Sequence, residues 1–349
     1  MKTGKRYFIW NTASGQENNM KKIVSLLLVI AILLAFSGCS GEKKAEQLPA
    51  VTEAPVQEEE NSLLKIAKWM QSEVPEPGFG SVGGEWLAMG LARSEMEGME
   101  EYLLGYGERV AAHTAQLGGI LHAKKYTEYS RTILAWTAIC KDATDVGGFN
   151  LLTPLADFEQ TVFQGINGPI YALIALDCGG YEIPENFTDN TQATRDMYVD
   201  YIVNAEITDG GWSLSGGPAE IDITAMALQA LAKYQERPDV KAAVERGLEL
   251  LSQQQNVNGG FADGNGETSE AISQTIVALT ELGISLDDSR FVKNGNTLKD
   301  ALLRFQMEDG SFRHIMEGDT DLLSTEQAFY ALVALDRMEQ GKTSLYSMK

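Results

Sequence analysis

One layout occurs three times in the second half of the chain and leaves few folds open. "DGGWSLSGGPAEIDITAMALQALAKY" from Asp209, "NGGFADGNGETSEAISQTIVALTELGI" from Asn258 and "DGSFRHIMEGDTDLLSTEQAFYALVALDRM" from Asp309 share it. Each runs from a Gly-Gly/Ser-aromatic turn through a polar loop and an acidic residue into an apolar stretch containing an Ala-Leu pair. The turns recur 49 and 51 residues apart, and self-similarity at such a period marks a repeat architecture. Looser copies begin at Gly83, Tyr126, Gly147 and Asn167.

The segments between the copies, such as "NSLLKIAKWMQ", "TQATRDMYVDYIVNAE" and "VKAAVERGLELLSQQQ", place apolar residues three and four apart, the period of an amphipathic helix. The repeat segments themselves, such as "ITAMALQALA", are apolar on several faces and predict helices covered on more than one side. Six of each kind in alternation give an all-α chain of twelve helices. An inner barrel of six inside an outer ring of six leaves no apolar end exposed, whereas an open solenoid needs polar terminal repeats. The expected architecture is an (α/α)6 toroid over residues 62–349.

The ends and the charge bound the setting. Met20-Lys21-Lys22 precedes 14 mostly apolar residues, Ile23–Phe36, and then Ser37-Gly38-Cys39, which reads as a secretory signal over residues 1–38. Residues 1–19 have no signal character and are set aside as an over-long start. The tail "FSGC" resembles a bacterial lipobox, which implies lipidation at Cys39 and anchoring on the extracytoplasmic face of the cell membrane. Residues 39–61 are acidic and poor in large apolar groups, as a disordered linker is. Residues 1–38 hold five of the 28 basic and one of the 49 acidic residues, leaving 23 against 48. Such a surface repels nucleic acid and anionic lipid headgroups, so membrane contact would rest on the lipid anchor. Only Cys140 and Cys178 remain after Cys39, and spacing leaves their pairing open. No Cys/His cluster offers a zinc site, and no cofactor is indicated.

"RGLELLSQQQNVNGGF" and "ALLRFQMEDGSF" resemble the Gln-to-aromatic repeat of terpenoid cyclases and protein prenyltransferases. In that pattern a Gln stands four residues before a Gly and six before an aromatic. Gln255/Gly259/Phe261 and Gln306/Gly310/Phe312 fit it, and Glu206/Gly210/Trp212 fits with Glu for Gln. The likeness runs over residues 62–349, most closely to exported bacterial repeat proteins of this superfamily, and extends to the helical domain of cobalamin carriers. The Gln amide can reach orphan backbone groups at a helix end, the Gly permits the turn and the aromatic packs beneath, so the repeat speaks for fold.

"EIDITA" resembles the Asp-x-Asp-Asp-Thr-Ala motif of class II terpene cyclases, whose middle Asp protonates an isoprenoid double bond. Glu220 stands at the first acid, Asp222 at the middle acid and Ile223 at the third, with Thr224-Ala225 following. Against that, aligning on the Ala-Leu pairs sets Glu270 and Glu326 opposite Asp222, and a recurring acid reads as a helix-start feature stabilised by free N–H groups. "Ser324-Thr-Glu-Gln327" reads as a capping box. The zinc pattern implied by protein prenyltransferases is missing, since no Asp-x-Cys occurs and His113, His122 and His314 are scattered.

These readings favour a non-catalytic, lipid-anchored binding protein for a small molecule, corrinoid-like or isoprenoid, or for a surface protein partner. Glu220, Asp222, Glu270 and Glu326 would meet at the toroid mouth, with Trp136, Tyr171 and Tyr330 contributing aromatic surface. The alternatives are a terpene cyclase- or prenyltransferase-like enzyme with Asp222 as its acid and Glu220 beside it, and a cell-surface scaffold.

Overall fold

The computed structural model describes residues 62–349 apart from 209, 264 and 265. The signal, Cys39 and linker readings lie outside the described residues.

Twelve α-helices occupy the described residues, alternating between two rings. The outer ones are α1 (Ser62–Glu73), α3 (Glu100–Gln116), α5 (Phe158–Val162), α7 (Arg195–Asn204), α9 (Pro238–Gln254) and α11 (Leu298–Leu303). The inner ones are α2 (Trp86–Ser94), α4 (Thr127–Ala138), α6 (Asn167–Cys178), α8 (Ile221–Leu231), α10 (Ser269–Glu281) and α12 (Leu322–Glu339). Each inner helix packs on the next, α2 on α4, α6, α8, α10 and α12 in turn, and α12 returns to α2. The fold is an all-α toroid, as the repeat implied.

Composition explains the two rings. In α6, nine of twelve residues are buried and the apolar side chains lie all round it, while α9 buries one stripe, Val240, Ala243, Val244, Gly247, Leu248 and Leu251. An all-round apolar helix needs neighbours on every side, and a striped one can face water. One helix, predicted over "PLADFEQTVF" by its apolar spacing, is shorter than the sequence suggested. Residues 154–163 divide into a 3-10 turn, Thr153–Ala156, and α5, because Asp157 leaves the helical region and accepts the Gln160 N–H. The polar loop before α10 folds into a short antiparallel ribbon, Ala262–Asp263 with Gly266–Glu267, which the sequence reading missed.

The repeated turn works as its residue types require. Gln255 Nε2 donates to the carbonyls of Gly259 at 2.8 Å and Phe291 at 2.9 Å, and Gln306 reaches Gly310 less closely at 3.5 Å. Glu206 in the first copy instead takes a two-point ion pair from Arg246 on α9, at 2.6 Å for each bond. Trp212, Phe261 and Phe312 are buried beneath the turns. The inner helix then grips the aromatic backbone: the Thr224 hydroxyl accepts the Trp212 N–H at 3.0 Å, and that of Thr325 accepts the Phe312 N–H at 2.8 Å. A buried backbone donor that would otherwise cost free energy is thereby satisfied.

Gly259 has φ +85, and a Cβ there would stand 2.9 Å from the Thr297 carbonyl oxygen. Gly259→Ala therefore meets both the left-handed penalty and a backbone clash. We predict a loss of roughly 2–3 kcal/mol in unfolding free energy by urea titration; an unchanged midpoint would contradict this account of the turn.

Candidate functional site

The starts of three successive inner helices surround a cavity of about 880 Å³. Its wall includes Glu220 and Asp222 at α8, Thr268 and Glu270 at α10, and Asp321 and Leu323 at α12, with His314 on the loop before α12. Met226 and Gln327 also line it, each the sixth residue of its helix, so the cavity descends about 8 Å at 1.5 Å per residue.

Glu220 is the residue preceding α8, and its carboxylate accepts the Ser213 hydroxyl at 3.0 Å and the Leu214 N–H at 3.2 Å. It therefore ties the Gly-rich loop to the helix start. Asp222 is the second residue of α8 and is partly buried. Burial raises its pKa from the ordinary aspartate value, the Ile223 and Asp222 N–H groups oppose the rise, and the Glu220 and Glu270 charges add to it. The group is thus biased toward holding a proton on a solvent-reached wall.

Glu270, also the second residue of its helix, belongs to a network. Its Oε2 lies 2.8 Å from His314 Nδ1, and its Oε1 accepts the Ser324 hydroxyl at 2.5 Å. Asp321 caps α12 by accepting the Ser324 N–H at 2.7 Å, so the capping box expected over Ser324–Gln327 does not form and the cap lies three residues upstream. His314 and Asp321 are the site residues that the sequence reading passed over. Both had a positional signal: His314 follows its repeat aromatic by two residues, and Asp321, like Glu220, immediately precedes an inner helix.

Glu326 does not join this wall. It is the fifth residue of α12, about 4.5 Å deeper than a second residue, and fully buried. Its Oε1 accepts the Gly83 N–H at 2.7 Å, across the junction where α12 meets the approach to α2. Burial pushes its pKa up to about 8; the Gly83 bond opposes this, and Glu85 and Asp321 add to it. Glu85 is buried nearby, is likewise raised by burial, and has Arg131 Nε 3.6 Å away.

The aromatic expectations divide. Trp86 lies 5.7 Å from Tyr171 and 5.8 Å from Tyr330, ring centre to centre, forming a cluster under the cavity. The Tyr171 hydroxyl donates to Met226 Sδ at 3.3 Å, and Gln274 Nε2 bonds both the Tyr330 hydroxyl at 2.5 Å and Gln327 Oε1 at 2.8 Å. Tyr171 and Tyr330 thus back the cavity floor without lining it. Trp136 is the tenth residue of α4, donates to the Asp142 carbonyl at 3.0 Å and stacks under Lys141, far from the mouth. Its rotation and depth, unknowable from residue type, put it elsewhere. Cys140 is exposed and Cys178 buried, and both are free thiols. Among the described residues no group of three or more His, Cys, Asp or Glu side chains is arranged to hold a metal, and no helix is long and apolar enough to cross a membrane.

Residues 224–346 match the family model for the prenyltransferase alpha-alpha toroid domain. The fold is similar to that of unsaturated glucuronyl hydrolase from Bacillus sp. GL1, a protein responsible for glycosaminoglycan degradation, at TM-score 0.54 and 14% identity over 82% of this chain and 97% of that one. It is also similar to the type II terpene cyclase MstE from Scytonema, at TM-score 0.52 and 13% identity over 80% and 98%. A variant of that cyclase bound to its substrate, geranylgeranyl dihydroxybenzoate, gives TM-score 0.50 and 13% identity over 80% and 97%. No curated protein sequence matches the chain. At these identities the likeness is one of fold, and the rings matched are enzymes. The expectation of a non-catalytic binding protein is corrected by these neighbours, which are enzymes, while the lipid-anchor reading lies outside the described residues.

Glu326 is more basic in the folded chain, at about 8, than the ordinary 4.5. The folded state therefore binds the extra proton, and its stability falls as pH rises from about 4.5 toward 8. Glu326→Gln keeps an acceptor for the Gly83 N–H without the charge. It should match wild type at pH 4 and exceed it by roughly 2–4 kcal/mol at pH 9 in urea unfolding. Equal stability of the two proteins at pH 9 would refute the burial assignment.

Proposed function

We propose that this toroid is a terpene cyclase-like enzyme in which Asp222 donates a proton to a carbon–carbon double bond of an uncharged isoprenoid. The observation that carries the reading is the placement of Asp222. It occupies the middle-acid position of the Glu220-Ile-Asp222-Ile-Thr224-Ala225 frame, sits on the cavity wall, and has its proton affinity raised by burial. Partial burial and the Glu220 and Glu270 charges raise its proton affinity, the direction in which a general acid is tuned.

The rest of the wall narrows the substrate. Glu220, Asp222, Glu270 and Asp321 face the cavity, and among the described residues its lining contains neither Lys nor Arg. An anionic diphosphate or uronate would enter against this field, whereas an uncharged alkene would not. Ile223, at the third acid position, is buried. The carboxyls whose charges act on Asp222 are instead Glu220, just before α8, and Glu270 of α10. The substrate bound by the Scytonema cyclase carries a geranylgeranyl chain, consistent with an isoprenoid here. Met226, Leu323 and Phe261 offer apolar surface on the same wall.

Purified protein should be incubated with uncharged polyprenols and prenylated phenols, with prenyl diphosphates and with unsaturated uronides, and the products separated by mass spectrometry. Turnover of an uncharged isoprenoid is expected, with Asp222→Asn lowering the rate by about 10²–10⁴-fold. Turnover confined to the uronides, or an Asp222→Asn protein of wild-type rate, would overturn the proposal.

A further inference from the structure

Proton donation leaves a carbocation, and the cavity holds a second titratable unit on a different wall. His314 has its ring Nδ1 on Glu270 at 2.8 Å, and its carbonyl accepts the Ser269 N–H at 3.1 Å. Glu270 is itself fixed by the Ser324 hydroxyl at 2.5 Å, and Ser324 by Asp321. The imidazole is thus anchored through both ring and backbone, although its side chain is 58% exposed. An ionised carboxylate only accepts, so the Glu270 contact puts the proton on Nδ1 and leaves the Nε2 lone pair free. That is the tautomer a general base needs.

We propose that His314 is the general base of this site, held in its tautomer by Glu270 as a positioning residue, and that the reaction ends with addition of water. The proposal rests on the reading of Asp222 as the acid. In the first step the Asp222 O–H bond breaks as a C–H bond forms, giving a tertiary carbocation and a carboxylate. A water oxygen then forms a C–O bond to the cation while one of its protons passes to His314 Nε2. The imidazolium returns that proton to Asp222 through solvent, so the sum is alkene plus water to alcohol, with no oxidant or reductant. Water is at hand because the cavity opens to solvent and carries Gln254, Thr268 and Gln327 beside the acids.

Two measurements test this. Nitrogen NMR of the ¹⁵N-histidine-labelled protein, with neutral His314, should show the Nδ1–H tautomer, and Glu270→Gln should change the tautomer ratio. An Nε2–H tautomer in the wild type would overturn the assignment without any substrate. With a substrate that wild type converts, His314→Gln should cut the alcohol yield at least about tenfold while an isomeric alkene forms in its place, the cation losing a C–H proton to solvent water, and Asp222→Asn should lower both by about 10²–10⁴-fold. If Asp222→Asn lowers turnover to that extent and His314→Gln leaves the alcohol yield unchanged, the base assignment fails and the acid reading stands. If Asp222→Asn is fully active, both fall.

Discussion

Closure of the inner ring is the constraint on which the rest of the molecule depends. Helix α6 is apolar on nearly every side and α10 is buried on nearly every side, and only a neighbour on each flank plus an outer cover removes such helices from water. The last contact, α12 on α2, joins residues more than two hundred apart in sequence. It demands close approach: a Cβ on Gly90 would lie 3.0 Å from the Phe329 ring. At that junction the ring also buries Glu326 and Glu85, which accept backbone N–H groups from the Gly80–Gly83 approach. Uncharged or partly compensated carboxyls there satisfy donors that a purely apolar seam would leave unpaired.

The ring is functionally lopsided. Helices α8, α10 and α12 bring acids to the cavity, whereas α2 and α6, with Tyr330 of α12, stack aromatic rings beneath it. This asymmetry follows from the loops. The Gly-aromatic turns before α8, α10 and α12 lead into polar loops that deliver Glu220, His314 and Asp321 to helix starts. An N-terminal helix end also favours negative charge, which lowers the cost of gathering several carboxyls there. The same end supplies N–H groups that temper the raised proton affinity of Asp222. Acid strength at this mouth is therefore a balance between burial and the backbone field, and the carbons of a hydrocarbon substrate would shift it further by excluding water.

Much of the site was legible in sequence where the helix register could be counted. Asp222 and Glu270 are both second residues of inner helices, and the repeat predicted their common placement. Glu326 looked equivalent through the Ala-Leu pairs, but α12 begins at Leu322 and carries that acid three positions further in. Three residues amount to about 300° of rotation and 4.5 Å of depth, enough to exchange a cavity wall for a buried seam. Trp136 was misplaced for a similar reason, being deep in α4.

The sequence by itself determined the double ring, because the alternation of all-round apolar and striped helices has one economical closed packing, and the Gln-Gly-aromatic turns fix where each inner helix starts. It also singled out Asp222, since the acid frame is local. Tertiary structure alone decided which groups surround Asp222. His314, Glu270, Ser324 and Asp321 meet through three separate chain segments, and their pairing depends on loop paths and helix rotation that no local pattern encodes. Burial, which raises the proton affinities of Asp222 and Glu326, is likewise a property of the closed ring and not of either residue's neighbours in sequence.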